Sequence, residues 1–149
     1  MSPDFKDLLS EFNAAGVEYL VVGAYAMAAH GRVRATGDLD VWVKPSPENA
    51  KRVLAALRQF GVPLHDLTAE DLNRPDVVFQ IGQEPLRIDV LTSIDAVDFQ
   101  AAWENRFTTK LGDHQVGVLS ASDLIKNKRA VARPQDLADV DWLEKAGKG

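Results

Sequence analysis

Six residues, Asp38-Leu39-Asp40-Val41-Trp42-Val43, constrain this chain more than any other stretch. Their β-branched and aromatic content reads as a strand, which Pro45 closes. Alternate side chains of a strand share a face, so Asp38, Asp40 and Trp42 point one way and Leu39, Val41 and Val43 the other. The aliphatic face belongs to a core, and two like charges therefore stand together where the strand enters it. Carboxylates so close repel each other, and in a dry site they take up a proton unless a cation lies between them. A third acid, Asp89, sits between Ile88 and Val90, an equally unfavourable place for a solitary charge. If the two strands are neighbours, three carboxylates converge.

The rest of the chain alternates helix and strand signals. Pro3 at a first-turn position and Phe5, Leu8, Leu9 and Phe12 at helical spacing predict an amphipathic helix over 3–15, ended by Gly16. Residues 17–22 read as a buried strand, Gly23 stops it, and an Ala-rich helix follows over 24–30. Ser46-Pro47-Glu48 opens a further helix to Phe60 with Val53, Leu54 and Leu57 inward, capped by Gly61. Residues 62–75 are poorly periodic and read as loop with one short helical turn. Residues 76–82 and 85–93 read as a hairpin turning at Gly82 to Pro85, residues 98–105 as a short helix, and 107–119 as two short strands around Gly112-Asp113. The remainder reads as two helices broken at Arg133-Pro134, the first capped by Ser120 or Ser122. The pattern predicts an α/β (α+β) class, a mixed sheet flanked by helices with C-terminal helices beyond it. The 149 residues suit one domain, 1–149.

The chain has no cysteine, so any metal must be held by oxygen or imidazole, which favours hard cations. The net charge of −5 offers no general attraction to phosphate backbones, and nucleic acid could be met only by a local basic patch. The opening residues carry acids and no apolar stretch, and no run approaches ~18 apolar residues, so a cytoplasmic location without a membrane partner is expected.

Three carboxylates without cysteine suit one or two Mg²⁺ ions, with Mn²⁺ as a substitute, which keep waters and borrow ligands from a triphosphate. Upstream, the strand, Gly23-Ala24 and helix junction lets backbone approach a ligand closely. A strand, a glycine-led turn opening a helix, thirteen residues, Asp38-Leu39-Asp40, then a lone acid on a later strand resembles the polymerase-β-like nucleotidyltransferases. "VVGAYAMAAHG", "RATGDLDVWV", "RIDVLTS" and "LIKNKRAVARPQDLADV" look like the small bacterial members related to AbiEii-type toxins. The resemblance implies a polymerase-β-type fold and an enzyme moving an NMP from an NTP to a hydroxyl acceptor: an RNA 3′ end, a protein or a small molecule. It implies metal ligation and catalysis by Asp38, Asp40 and Asp89, and phosphate contact at Gly23 and Ala24. A toxin-like member would have an antitoxin partner. Ala24 departs from the usual Gly or Ser there and removes a hydroxyl contact while leaving its N–H. A haloacid-dehalogenase phosphatase or a metal-dependent glycosyltransferase also carries D-x-D, but with the acids after a long apolar strand rather than before "VWV". The alternative within the fold is a nucleotide-binding regulatory module without turnover.

Several other residues carry two readings. Lys128 falls on one helix face with Leu124, Ile125 and Val131, either as a snorkelling cation or as one aimed at nucleotide phosphates. Arg32 and Arg34 precede the acids and either clamp a phosphate, the role assigned to Arg34, or balance carboxylates. Asp136 and Asp139 with Arg133 read as a surface helix network. Trp42 reads as a pocket liner and Trp103 and Trp142 as core anchors. Arg87 shares a strand face with Asp89 and is its candidate charge partner.

Overall fold

The computed structural model describes residues 1–83 and 85–148. Helix α1 (Pro3–Ala14) starts where the Ser2 hydroxyl accepts the Phe5 N–H, and its Phe5, Leu8, Leu9 and Phe12 stripe is at most 1% exposed. Burying each of these side chains contributes about 1.5–3 kcal/mol. The chain then runs through β1 (Tyr19–Val22), α2 (Gly23–Ala29), β2 (Asp38–Val43), α3 (Pro47–Phe60), α4 (Ala69–Leu72) and β3 (Val78–Gln83). It continues with β4 (Leu86–Leu91), α5 (Phe99–Glu104), β5 (Phe107–Leu111), β6 (His114–Val118), α6 (Ala121–Val131) and α7 (Pro134–Lys148). These elements follow the sequence expectations within a residue or two. The expected turn of the β3–β4 hairpin includes Glu84, which lies outside the described residues.

The six strands form one mixed sheet in the order β3-β4-β2-β1-β6-β5. The pairs β1/β2, β3/β4 and β5/β6 are antiparallel, while β1/β6 and β2/β4 are parallel. The aliphatic strands β1 and β2 take the interior, where both faces are covered, and the more polar β3 and β5 take the edges. On one face Leu39, Val41, Val43, Ile88 and Val90 pack under α1 and α3. On the other, Trp42 meets Phe99 of α5 edge to face at 5.0 Å.

A buried polar knot fixes the entrance to α3. Asn49, 1% exposed, accepts the Glu18 N–H at 2.8 Å and donates to the Glu18 and Lys44 carbonyls at 3.0 Å each. It thereby joins the approach to β1 and the exit of β2 to the first turn of the helix that covers them. Among the described residues no helix is long and apolar enough to cross a membrane.

Candidate active site

Register decides what the acids do. In the parallel β2/β4 ladder Asp38 lies opposite Arg87 and Asp40 opposite Asp89, while in the β1/β2 ladder Val22 lies opposite Asp40. Because β2 and β4 pair without a slip, the three carboxylates fall on one face of two adjacent strands, beside the turn that leaves β1. The turn is made by Gly23 at φ +69°, and a Cβ there would overlap the Asp40 carboxylate. Only glycine permits the backbone and that oxygen to be so close.

Burial pushes the Asp40 carboxyl up to about 7, aided by the charge and hydrogen bond of Asp89 and by the charge of Asp38, with Arg87 opposing. The Arg87 guanidinium grips Asp89 with two hydrogen bonds, Nε to Oδ1 at 3.0 Å and Nη2 to Oδ2 at 3.1 Å. It also reaches Asp38 Oδ2 at 3.4 Å. Its stem is anchored by the Arg87 N–H donating to the Gly37 carbonyl at 2.8 Å, where a Cβ on Gly37 would overlap the Pro85 carbonyl. Across the site, buried Lys128 of α6 contacts Asp139 at 2.9 Å and Asp136 at 3.5 Å. Arg32 and Arg34, from the loop between α2 and β2, meet the same Asp139 at 3.2 and 2.6 Å. Burial raises the Asp139 carboxyl, but hydrogen bonds and charge from Lys128 and Arg34 outweigh it and hold the group below its ordinary value. The Arg133 guanidinium holds Asp136 low in the same way.

These groups enclose a cavity of about 380 Å³ lined by Gly23, Ala24 and Thr36, by the three acids with Arg87, and by Arg34, Lys128 and Asp139. A larger cavity of about 500 Å³ lies on the opposite face of the sheet, under α1 and the end of α3; its floor includes Ile88, which points away from Asp89, so it shares none of this chemistry.

The same arrangement of elements occurs in the lincomycin-bound crystal structure of the lincosamide antibiotic adenylyltransferase LnuA. It is similar over 98% of this chain and 98% of that one, at TM-score 0.60 and 15% identity. The two chains share a fold. No family model and no curated protein matches the sequence.

Gly23, Ala24, Arg34, Asp38, Asp40, Asp89 and Lys128, singled out from the sequence, all line one cavity. Other expectations are corrected. Trp42 does not line it: at 2% exposure it is core, because α5 covers that end of the strand. Asp136 and Asp139 are not a surface network, being 1% exposed each. Their burial was signalled by Val140 and Leu143, four residues beyond each, which puts acid and aliphatic on one inward helix face. Val131, expected inward with Lys128, is 37% exposed because α6 ends there. Trp103 and Trp142 do pack against the core as expected, though only partly buried, each with an arginine over its ring: Arg106 at 3.9 Å and Arg32 at 5.9 Å. Thr36 and Gln135 line the cavity without having been singled out for it, and Arg133, read as part of a surface network, lines it too. Thr36 accepts the Asp38 N–H at 3.1 Å and so sets the start of β2.

Among the described residues no three acidic or imidazole groups stand together as a finished metal site; the Arg87 guanidinium lies against Asp38 and Asp89. The donor set still suits a hard divalent cation. It is all carboxylate, Asp38 Oδ1 is buried with no hydrogen-bond partner, and Asp40 is short of counter-charge.

Proposed function

We propose that this protein is a divalent-metal-dependent nucleotidyltransferase that moves an NMP from an NTP to a hydroxyl of a small molecule. The observation that carries this reading is the polarity of the cavity. One wall has three carboxylates against one guanidinium; the other has the cations Arg34, Lys128 and Arg133 with Asp139 among them, and Arg32 and Asp136 pair with these groups from behind the wall. A ligand that is polyanionic at one end and carries a hard cation at the other matches both walls.

Asp38 and Asp40, with Asp89 beside them, would hold Mg²⁺ or Mn²⁺, which when bound supplies neutralising charge to the triphosphate and the reacting oxygens. The chain's own residues do the rest. Lys128 and Arg34 face the β- and γ-phosphates from the far wall and offset the charge that builds on the leaving group. The Gly23-Ala24 backbone sets the floor on which the phosphates rest. The acceptor oxygen bonds to the α-phosphorus, the bond from that phosphorus to the bridging oxygen breaks, and pyrophosphate departs with the electron pair. In this reading Asp89, released from Arg87, takes the acceptor's proton. Catalysis here is positioning and charge.

A small-molecule acceptor is favoured by the fold neighbour, an antibiotic adenylyltransferase seen with lincomycin bound, whose length this chain matches. The Arg87 grip on Asp89 and Asp38 favours a second reading, a nucleotide-binding module without turnover. Calorimetry with ATP, CTP, GTP and UTP, with and without Mg²⁺, followed by pyrophosphate release on a panel of hydroxylic small molecules, cellular RNA and proteins, separates the two. Metal-dependent binding and release are expected, with both lost in Asp40→Asn. Metal-dependent binding without release on any acceptor selects the module. Absence of metal-dependent binding refutes both. Labelled RNA or protein would replace the small-molecule acceptor and revive the antitoxin partner.

A further inference from the structure

We propose that Arg87 is a resident counter-ion of the acid cluster which an incoming divalent cation must displace, so that metal and triphosphate bind cooperatively rather than independently. The inference rests on the metal reading of Asp38, Asp40 and Asp89. The guanidinium spans the two outer acids: it pairs with both oxygens of Asp89 at 3.0 and 3.1 Å and approaches Asp38 at 3.4 Å. A metal ligated by Asp38, Asp40 and Asp89 together can use the unpartnered Asp38 Oδ1, but it needs an Asp89 oxygen, and Arg87 now pairs with both of them. An arginine cannot lose its charge to make room, because its guanidinium stays protonated at any working pH. It must move, or the metal must bind against a fixed like charge.

Movement is built in at one end only. The Arg87 backbone is held in the β2/β4 ladder and by the Gly37 carbonyl, whereas its side chain is 28% exposed and ends in the cavity. The opposite wall offers the displaced guanidinium no vacancy, since Asp139 already carries Arg32, Arg34 and Lys128. The polyphosphate that accompanies the metal supplies the needed anion, and an arginine fork suits phosphate as well as carboxylate. In that exchange Arg87 goes from Asp89 and Asp38 to the nucleotide as the metal takes their oxygens. The two ligands are then coupled through one side chain, and the coupling is reciprocal. Arg87 thereby becomes a positioning residue in the free protein and a phosphate contact in the loaded one.

The test is Mn²⁺ binding, read as free Mn²⁺ by electron paramagnetic resonance, in the parent, Arg87→Gln and Arg87→Lys, each with and without a non-hydrolysable ATP analogue. Removing a guanidinium from beside a cation site is expected to tighten Mn²⁺ binding without nucleotide roughly tenfold or more. It should also shrink, by a similar factor, the gain in Mn²⁺ affinity that the analogue brings. Arg87→Lys, which keeps the charge but loses the fork, should fall between the two. Circular dichroism melts check that the variants fold. An Arg87→Gln protein that binds Mn²⁺ no more tightly than the parent, or that keeps the full nucleotide enhancement, overturns the proposal. Asp40→Asn placed in the Arg87→Gln background separates the two levels. Loss of Mn²⁺ there confirms that the metal sits on the acids, so that a negative Arg87 result condemns the counter-ion role alone. Retained Mn²⁺, or no binding in any form, refutes the metal reading and this inference with it.

Discussion

Replacing Asp40 by asparagine should make the metal-free protein more stable, and the gain should grow with pH. The side chain is packed against Asp38 and Asp89 with one guanidinium between them, and burial followed by the Asp89 charge raises its pKa from 3.8 to about 7. A carboxyl raised on folding holds a proton that the unfolded chain releases. Its effect on stability is therefore absent below about pH 4 and accumulates as an increasing penalty between pH 4 and 7. Above pH 7 the penalty levels off at about 4 kcal/mol, the free-energy equivalent of that pKa difference. Asparagine keeps the shape, cannot ionise, and can donate an N–H to Asp89 where the shared proton was. Asp40→Asn should thus match the parent near pH 4 and exceed it by up to about 4 kcal/mol at pH 8, or about 10 °C in Tm for a domain of this size. The assay is thermal unfolding by circular dichroism from pH 4 to 8.5 with a chelator present. Two stability curves that stay parallel across that range, or a gap that widens toward acid, would refute the crowding of the three acids.

The other expectations follow from single contacts. Gly23→Ala puts a methyl group into the Asp40 carboxylate at a positive φ and should cost about 1–3 kcal/mol in urea unfolding while abolishing nucleotide binding. Asp139→Ala leaves Lys128, which is 8% exposed, with Asp136 alone and leaves Arg32 and Arg34 without their shared acid; about 3–5 kcal/mol should be lost at neutral pH. Since Asp136 and Asp139 are both held below their ordinary values, their contribution should be full at neutral pH and disappear as pH falls below about 4, so acid titration of the parent should show a loss there that Asp139→Asn reduces by the Asp139 share while keeping that of Asp136. Asn49→Ala removes three side-chain hydrogen bonds and leaves the Glu18 N–H unpaired, while the Glu18 and Lys44 carbonyls keep the N–H groups of Lys44 and Ser46; about 2–3 kcal/mol should be lost by chemical denaturation.

Much of the candidate site was legible because its signals are local. The alternation in DLDVWV and LRIDVL separates acids from aliphatics by the two-residue period of a strand, whatever the strands pair with. The glycine that ends VVG is where a strand can turn into a helix with positive φ, and Gly23 does so at +69°. Caps were legible for the same reason: Ser46 and Ser120 each accept from an N–H three residues on. What could not be read were relations between segments far apart in the chain. Trp42 alternates with the acids as a pocket residue would, yet its fate depended on α5 arriving over it. The spacing of Asp136 and Asp139 to Val140 and Leu143 hints at an inward face, but nothing local says that three cations from two other segments converge on Asp139.

By itself the sequence determined the units: which stretches extend, which coil, where backbone turns on glycine, and which side of each unit shuns water. These follow from steric and solvation preferences that act over a few residues. Only the tertiary structure decided that β4 lies parallel to β2 with Asp89 level with Asp40, that Arg87 fills the space between the outer acids, and that the α6–α7 cations close the cavity from the other side. Those are outcomes of strand order and register, chosen by burial of the whole sheet, and no short stretch of the chain contains them.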